Sequence, residues 1–200
     1  MSNIEKLRKN LEHKGYQTSY FKTAGEAADY LCKEITDTPV GIGGSKTVDD
    51  LGLFDRLSEN NEVYWHWKQD PNEAREKAAS ADIFICSANA VSETGELVNI
   101  DAMGNRLAAT IYGKKKVYIV IGANKIKSNL KTAVWRARNI AAPMNAKRLG
   151  LSTPCATSKE VRCYDCRSSQ RICKGLLIML EKMNGVGACE VVIVNDSLGY

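Results

Sequence analysis

The chain has 200 residues with 44% hydrophobic content, enough to bury a sizeable core as one domain of ordinary size. Its net charge of +5 arises from 28 basic and 23 acidic residues, and the basic ones are scattered in small groups such as Lys114-Lys115-Lys116. They form no single basic stripe with interleaved aromatics, which argues against a nucleic-acid partner. No run of about 18 apolar residues occurs, and the charged start M-S-N-I-E-K-L-R-K-N lacks a signal-peptide core, so no membrane span and a soluble, cytoplasmic protein are expected.

Helical and strand patterns alternate along the chain. Ile4, Leu7 and Leu11 recur at helical spacing up to Gly15. Thr18–Phe21 suits a short strand, and Ala24–Ile35 a second helix with Ala27, Ala28, Leu31 and Ile35 on its apolar face. Pro39–Ile42 is a short apolar run leading into G-I-G-G-S-K-T, after which Thr47 can cap a helix reaching about Glu59. Glu62–Trp67 is expected to be a strand, Pro71–Ser80 a helix with proline in its first turn, and Ile83–Cys86 a fully buried strand. Glu96–Ile100 is a further strand, Asp101–Asn105 a turn, and Val117–Ile121 the clearest strand of all. Helices follow around Asn129–Ile140 and after Pro143, then one from about Arg171 to Met183, before a last strand at Val191–Val194. Strands alternating with helices of this length predict an α/β domain, a parallel or mixed sheet with helices on both faces.

In such sheets ligands bind beyond the carboxyl ends of the strands. Gly43, Gly44, Ser45, Lys46 and Thr47 lie between a strand and a helix start, where small residues allow backbone N–H groups to approach a phosphate, a carboxylate or a CoA-type ligand. The loop is not a P-loop, because Ser45 stands where that motif needs glycine; a plain capped turn is the alternative. A second loop, S-E-T-G, offers Glu93 as general base or nucleophile, with Thr94 and Gly95 beside it. Asp101, Asn105 and Arg106, and likewise Asn124 and Lys125 at the end of the clearest strand, suit turns or ligand contacts equally. Together these strand ends could form one mouth. His66, between Trp65 and Trp67, is expected opposite both tryptophans, facing solvent or a neighbour. Trp135 is expected to pack within its helix. No Ser-His-Asp set can be assembled.

Four of the seven cysteines, Cys155, Cys163, Cys166 and Cys173, fall within a segment spanning 153–174 as C-x7-C-x2-C-x6-C. A Cys-x-x-Cys pair with two outer cysteines can hold zinc or an iron–sulfur cluster. The spacing matches neither the usual ferredoxin run nor paired zinc knuckles, so metal identity stays open, beside redox-active thiols and small buried hydrophobes. Lys159, Arg162, Arg167, Arg171 and Lys174 could offset the thiolate charge. Cys32 and Cys86 suit the core, and Cys189 a structural place.

The ordered set G-I-G-G-S-K-T-V-D-D-L-G-L, S-E-T-G-E-L-V-N-I-D, G-N-R, V-I-G-A-N-K-I, A-A-P-M-N and T-P-C…C-x-D-C…R-I-C resembles the lactate-utilisation (LUD) domain family, in one collinear pass over residues 1–200. Among its branches the chain is similar to the stand-alone lactate-utilisation C proteins, since the ferredoxin-like runs of larger relatives are missing. The resemblance implies a fold like that of the sugar-phosphate isomerase and CoA-transferase superfamily, an α/β sandwich with a mostly parallel sheet. It implies an accessory or electron-transfer-linked role in L-lactate oxidation to pyruvate, with iron–sulfur protein subunits as partners and a small anion as ligand; homo-oligomerisation stays open. S-E-T-G is also similar to the glutamate-glycine motif of CoA transferases. That likeness would instead make Glu93 the nucleophile of an acyl-transferring or sugar-phosphate-isomerising enzyme.

Overall fold

A sheet of six parallel strands organises the computed structural model, which describes residues 3–200. Residues 1 and 2, part of the charged start and of the expected domain, lie outside the described residues. Helix α1 (Asn3–His13) buries Leu7 and Leu11, and Gly15 ends it with φ of +82°, a conformation a side chain would strain. Strand β1 (Gln17–Phe21) leads to α2 (Ala24–Glu34), opened by a capping box between Thr23 and Glu26. After β2 (Val40–Ile42) the expected long helix is instead two single turns, α3 (Lys46–Asp50) and α4 (Leu53–Leu57). Gly52 breaks them at φ +63°, and Ser45, not Thr47, caps the first.

Strand β3 (Val63–Trp65) is shorter than its apolar run because Lys68 and Gln69 N–H groups turn back onto the Trp65 carbonyl. Helix α5 (Pro71–Ser80) begins at the Asp70 cap and is followed by β4 (Ile83–Cys86). The short β5 (Ala90–Ser92) and β6 (Leu97–Asp101) then form an antiparallel pair. The expected turn at Asp101–Asn105 ends in a helix, α6 (Asn105–Ile111), which leads to the buried β7 (Lys116–Gly122) and the two-residue β8 (Ile126–Lys127).

The two helices expected around Pro143 form one continuous rod. Helix α7 (Leu130–Arg136) passes through a π-helical stretch, Ala137–Ala141, into α8 (Ala142–Arg148). Proline at 143 lacks the N–H that the α ladder would use, and the wider π turn lies immediately upstream. Trp135, expected to pack, is 57% exposed on this rod, while Ala133 and Arg136 turn inward. One turn, α9 (Pro154–Thr157), precedes the cysteine segment, which has no helix or strand from 158 to 174.

The expected helix over Arg171–Met183 is a strand, β9 (Gly175–Met179). It pairs antiparallel with β6, closing a second sheet in the order β8-β5-β6-β9. A five-residue apolar run, Leu176 to Leu180, fits either state locally, and here the open edge of β6 decides it. The last strand, β10 (Ala188–Val194), sits between β1 and β7, so the main sheet runs β1-β10-β7-β4-β2-β3.

Two apolar layers cover the two faces of the main sheet, the arrangement expected of a parallel sheet. One gathers Leu31, Val48, Leu53, Trp65 and Val120; the other gathers Leu7, Leu11, Phe84, Leu97 and Ile119. Cys86 and Cys189 are buried in the second layer, where burial above all pushes both thiols up to about 12. Cys32 is half-buried, and none of the seven cysteines forms a disulfide. No helix among the described residues is long and apolar enough to cross a membrane.

Candidate functional site

Because the strands of the main sheet are parallel, their carboxyl ends share one edge, and a cavity of about 380 Å³ opens there. That volume is in the range that encloses small ligands. The end of β2 supplies Gly44, Ser45, Lys46 and Thr47; the end of β3, His66 and Trp67; the end of β4, Ser87, Ala88 and Asn89; and the turn after β7, Lys125. Asp101, Asn105 and Arg106 enter from the β6–α6 junction, and Asn145 and Arg148 from α8. Eight of the expected site residues therefore meet in one place. Gly43 stands just behind them, where a Cβ would come within 3.2 Å of Arg106 and Cys86 side chains.

Charge in this cavity is one-sided. Lys46, Arg75, Arg106, Lys125 and Arg148 line it against the carboxylate of Asp101. Lys46 turns onto its own helix, pairing with Asp49 at 2.9 Å and Asp50 at 2.7 Å. Arg106 reaches the Ile100 carbonyl at 2.6 Å and Asp101 at 3.5 Å, which fixes it across the cavity wall. The Nε of Arg75 is buried and has no hydrogen-bond partner among the described residues, an arrangement that costs free energy until an acceptor arrives. Arg148 stacks over the Trp67 ring at 4.4 Å, and Trp67 stacks on buried Trp65 at 5.2 Å.

His66, expected to face solvent or a neighbour, lines the cavity. Burial first, and then Arg75, lower its pKa, so the imidazole is held neutral. Its partner in shape is Gly44, where a Cβ would lie 3.3 Å from both His66 Nε2 and Trp67 Nε1. Lys125 is the most enclosed cation, and burial brings its amine down to about 7. Arg136, in the wall behind, is lowered to about 10 by burial and donates to the Asn89, Asn124 and Tyr200 carbonyls.

Four expected residues stand elsewhere. Glu93 follows β5, at the opposite end of that strand from Asn89, roughly 13 Å away at the usual rise per residue. There it pairs with Lys6 at 3.5 Å, and its carbonyl accepts from Asn10. Thr94 donates to Glu96 at 2.5 Å, and Gly95, at φ +94°, turns the chain beside α1. These residues hold the β5–β6 hairpin against the first helix. Asn124 bonds the Leu198 backbone through both amide atoms and so fixes the turn that carries Lys125.

A second site lies behind the first. All four clustered cysteines, Cys155, Cys163, Cys166 and Cys173, border one small cavity of about 20 Å³ with Arg138, Thr153 and Arg171. A neighbouring cavity of about 200 Å³ shares Cys163, Cys173, Arg138 and Arg171. Donors are directed at the sulfurs: Arg171 at Cys173 (3.4 Å), the Asp165 N–H at Cys163 (3.4 Å) and Arg138 at Cys163 (3.9 Å). Asp165 adopts a left-handed φ of +46° that an L side chain disfavours. Among the described residues no three or more His, Cys, Asp or Glu are grouped tightly enough for a single metal ion. The four thiols are half-buried around this shared void, with N–H donors directed at two of the sulfurs. Ala142 and Ile172 line both this void and the cationic cavity.

Fold and cavity together define an α/β domain with a cationic pocket at the carboxyl edge of a parallel sheet. The sequence matches the LUD domain over residues 4–194, and the chain belongs to that family, which is associated with lactate utilisation in general. A crystal structure of a DUF162 family protein from Deinococcus radiodurans is similar in fold, with a TM-score of 0.58 and 13% identity, covering 97% of this chain and 99% of that one. No curated protein matches the sequence.

Proposed function

We propose that this LUD-domain protein binds a small organic acid in the cationic cavity and serves L-lactate oxidation to pyruvate as an accessory, electron-transfer-linked subunit. The observation that carries the reading is the cavity itself: with Lys46 paired on its own helix, Arg75, Arg106, Lys125 and Arg148 face one acid, and the buried Arg75 Nε has no partner among the described residues. An incoming carboxylate would satisfy that donor and lower the repulsion among Arg75, Arg106 and Lys125. His66, Trp67 and Ile100 would exclude water around the rest of the ligand, while Asn89, Asn105 and Asn145 offer neutral hydrogen bonds.

In this reading Cys155, Cys163, Cys166 and Cys173 hold an iron–sulfur cluster, which when bound supplies one-electron chemistry. Arg138 and Arg171 offset the thiolate charge, and the Asp165 N–H tunes one ligand. The wall of Ala142 and Ile172 keeps ligand and cysteines apart but adjacent. Iron–sulfur protein subunits are the expected electron partners. Glu93 stands at the far end of β5 from the cavity, which weighs against an acyl-transferase reading built on it.

Anaerobic purification with iron and sulfide analysis, joined to calorimetric titration with L-lactate and pyruvate, tests both halves. A brown protein with about four irons per chain and saturable binding of either acid is expected. A colourless, metal-free protein that still binds the acids would remove the cluster, and a protein that binds neither would remove the cavity reading.

A further inference from the structure

Three polar side chains converge at the floor of the cavity, nearly sealed from solvent: Lys125 is 4% exposed, Ser87 3% and Thr47 1%. Lys125 Nζ donates to Thr47 Oγ1 at 2.5 Å and to Ser87 Oγ at 2.7 Å. Neither hydroxyl donates back. Thr47 directs its hydrogen to the Leu198 carbonyl at 3.4 Å, and Ser87 to the Ala88 carbonyl at 3.2 Å. Two N–H groups of the lysine are thereby used, and a third, present in an ammonium, would find no acceptor among the described residues. In the neutral amine that position is a lone pair.

The charges around it agree. No carboxylate among the described residues stands within ion-pair distance of Lys125; Arg136 and Arg106 disfavour its charge, while Asp50 and Cys86 favour it more weakly. Burial is the leading cause that brings the amine down to about 7, so a large fraction is unprotonated at neutral pH. A desolvated lysine beside other cations is the arrangement that makes an amine nucleophilic.

We propose that Lys125 forms a Schiff base with a 2-oxo acid bound in this cavity. The proposal rests on the cavity being a small-anion site, and adds a nucleophile and a substrate class to it. The lone pair of Nζ attacks the ligand's carbonyl carbon, forming a C–N bond as the carbonyl π pair moves to oxygen. A proton passes from nitrogen to that oxygen, giving a carbinolamine. The hydroxyl then leaves as water together with the remaining nitrogen proton, which breaks the C–O bond and leaves a neutral C=N, with no net oxidation or reduction. Arg75 holds the carboxylate, and Thr47 and Ser87 hold Nζ in place.

Trapping with sodium cyanoborohydride at pH 7 in the presence of pyruvate tests the proposal, because hydride converts an imine into a stable secondary amine. Peptide mass mapping of the full-length wild-type protein is expected to find one adduct per chain, on Lys125. It should form on the order of 100-fold faster than on exposed surface lysines. L-Lactate, which carries the carboxylate without the carbonyl, should slow the labelling. Lys125→Arg should lose the adduct while keeping its circular dichroism spectrum; if that variant does not fold, the wild-type map still decides. Label spread over surface lysines while lactate binds would overturn the Schiff base and leave the anion site standing. Absence of binding by both acids would overturn both.

Discussion

The cationic cavity and the cysteine segment share a wall, yet they are built in opposite ways. Every lining residue of the cavity on the main sheet is anchored at a strand end, and the strands are fixed by parallel pairing from β1 through to β3. Lys125 is buried, and the Arg106 side chain only 11% exposed, before any ligand arrives, so the cost of desolvating these two falls on folding and not on binding. The cysteine segment has no helix or strand between 158 and 174, and its four thiols are half-buried around a void of about 20 Å³. One site is organised by the fold; the other has its donors gathered by loop geometry, and a bound cluster would supply the remaining order.

That contrast can be broken or sharpened by experiment. The largest effect is expected at the cysteines. Cys166→Ser or Cys173→Ser should reduce iron in anaerobically purified protein from about four per chain to near zero, while acid binding in the cavity changes little. Loss of both together would show that the cavity also depends on the metal.

A smaller, graded effect is expected at Lys125. Its pKa in the fold, about 7, lies below the ordinary lysine value of 10.5. Below pH 7 the folded and unfolded chains are both protonated there, so this group adds no pH dependence. Between about 7 and 10.5 the unfolded chain binds the extra proton, and stability rises with pH by at most about 1.4 kcal/mol per unit. Chemical denaturation of wild type and Lys125→Met across that range should show the rise in the wild type alone; parallel curves would place a charged, compensated lysine in the pocket.

The smallest effect is expected from Glu93→Gln. Glu93 belongs to the hairpin that packs on α1, so acid affinity measured by calorimetry should stay within about twofold, the scatter expected for a surface ion pair outside the site. A tenfold loss would bring the carboxylate back into the chemistry.

Much of the cavity was legible in the sequence because parallel strands put their carboxyl ends on one edge. Gly44, Thr47, Asp101, Arg106 and Lys125 could each be placed at a strand end from hydrophobic pattern alone. His66 could not, since its inward turn depends on the reversal after Trp65, a tertiary choice made by Lys68 and Gln69. Arg75 and Arg148 were hidden for a different reason: each sits on a helix whose facing partner no local pattern reveals. Glu93 misled because S-E-T-G is a turn signal in any setting, and only the β5–β6 pairing shows which way the turn faces. The strand at Gly175–Met179 was mistaken for a helix because its partner, β6, lies some eighty residues away in sequence.

The most direct test of the account is a calorimetric titration of pyruvate and L-lactate into the wild type and Arg75→Gln. Arg75 supplies a buried, unpartnered donor at the cavity, and a charge-assisted hydrogen bond to a carboxylate is worth about 1.5–3 kcal/mol. The account predicts saturable binding by the wild type, weakened about 10- to 100-fold in Arg75→Gln. Equal affinity in the two proteins, or binding by neither, would contradict it.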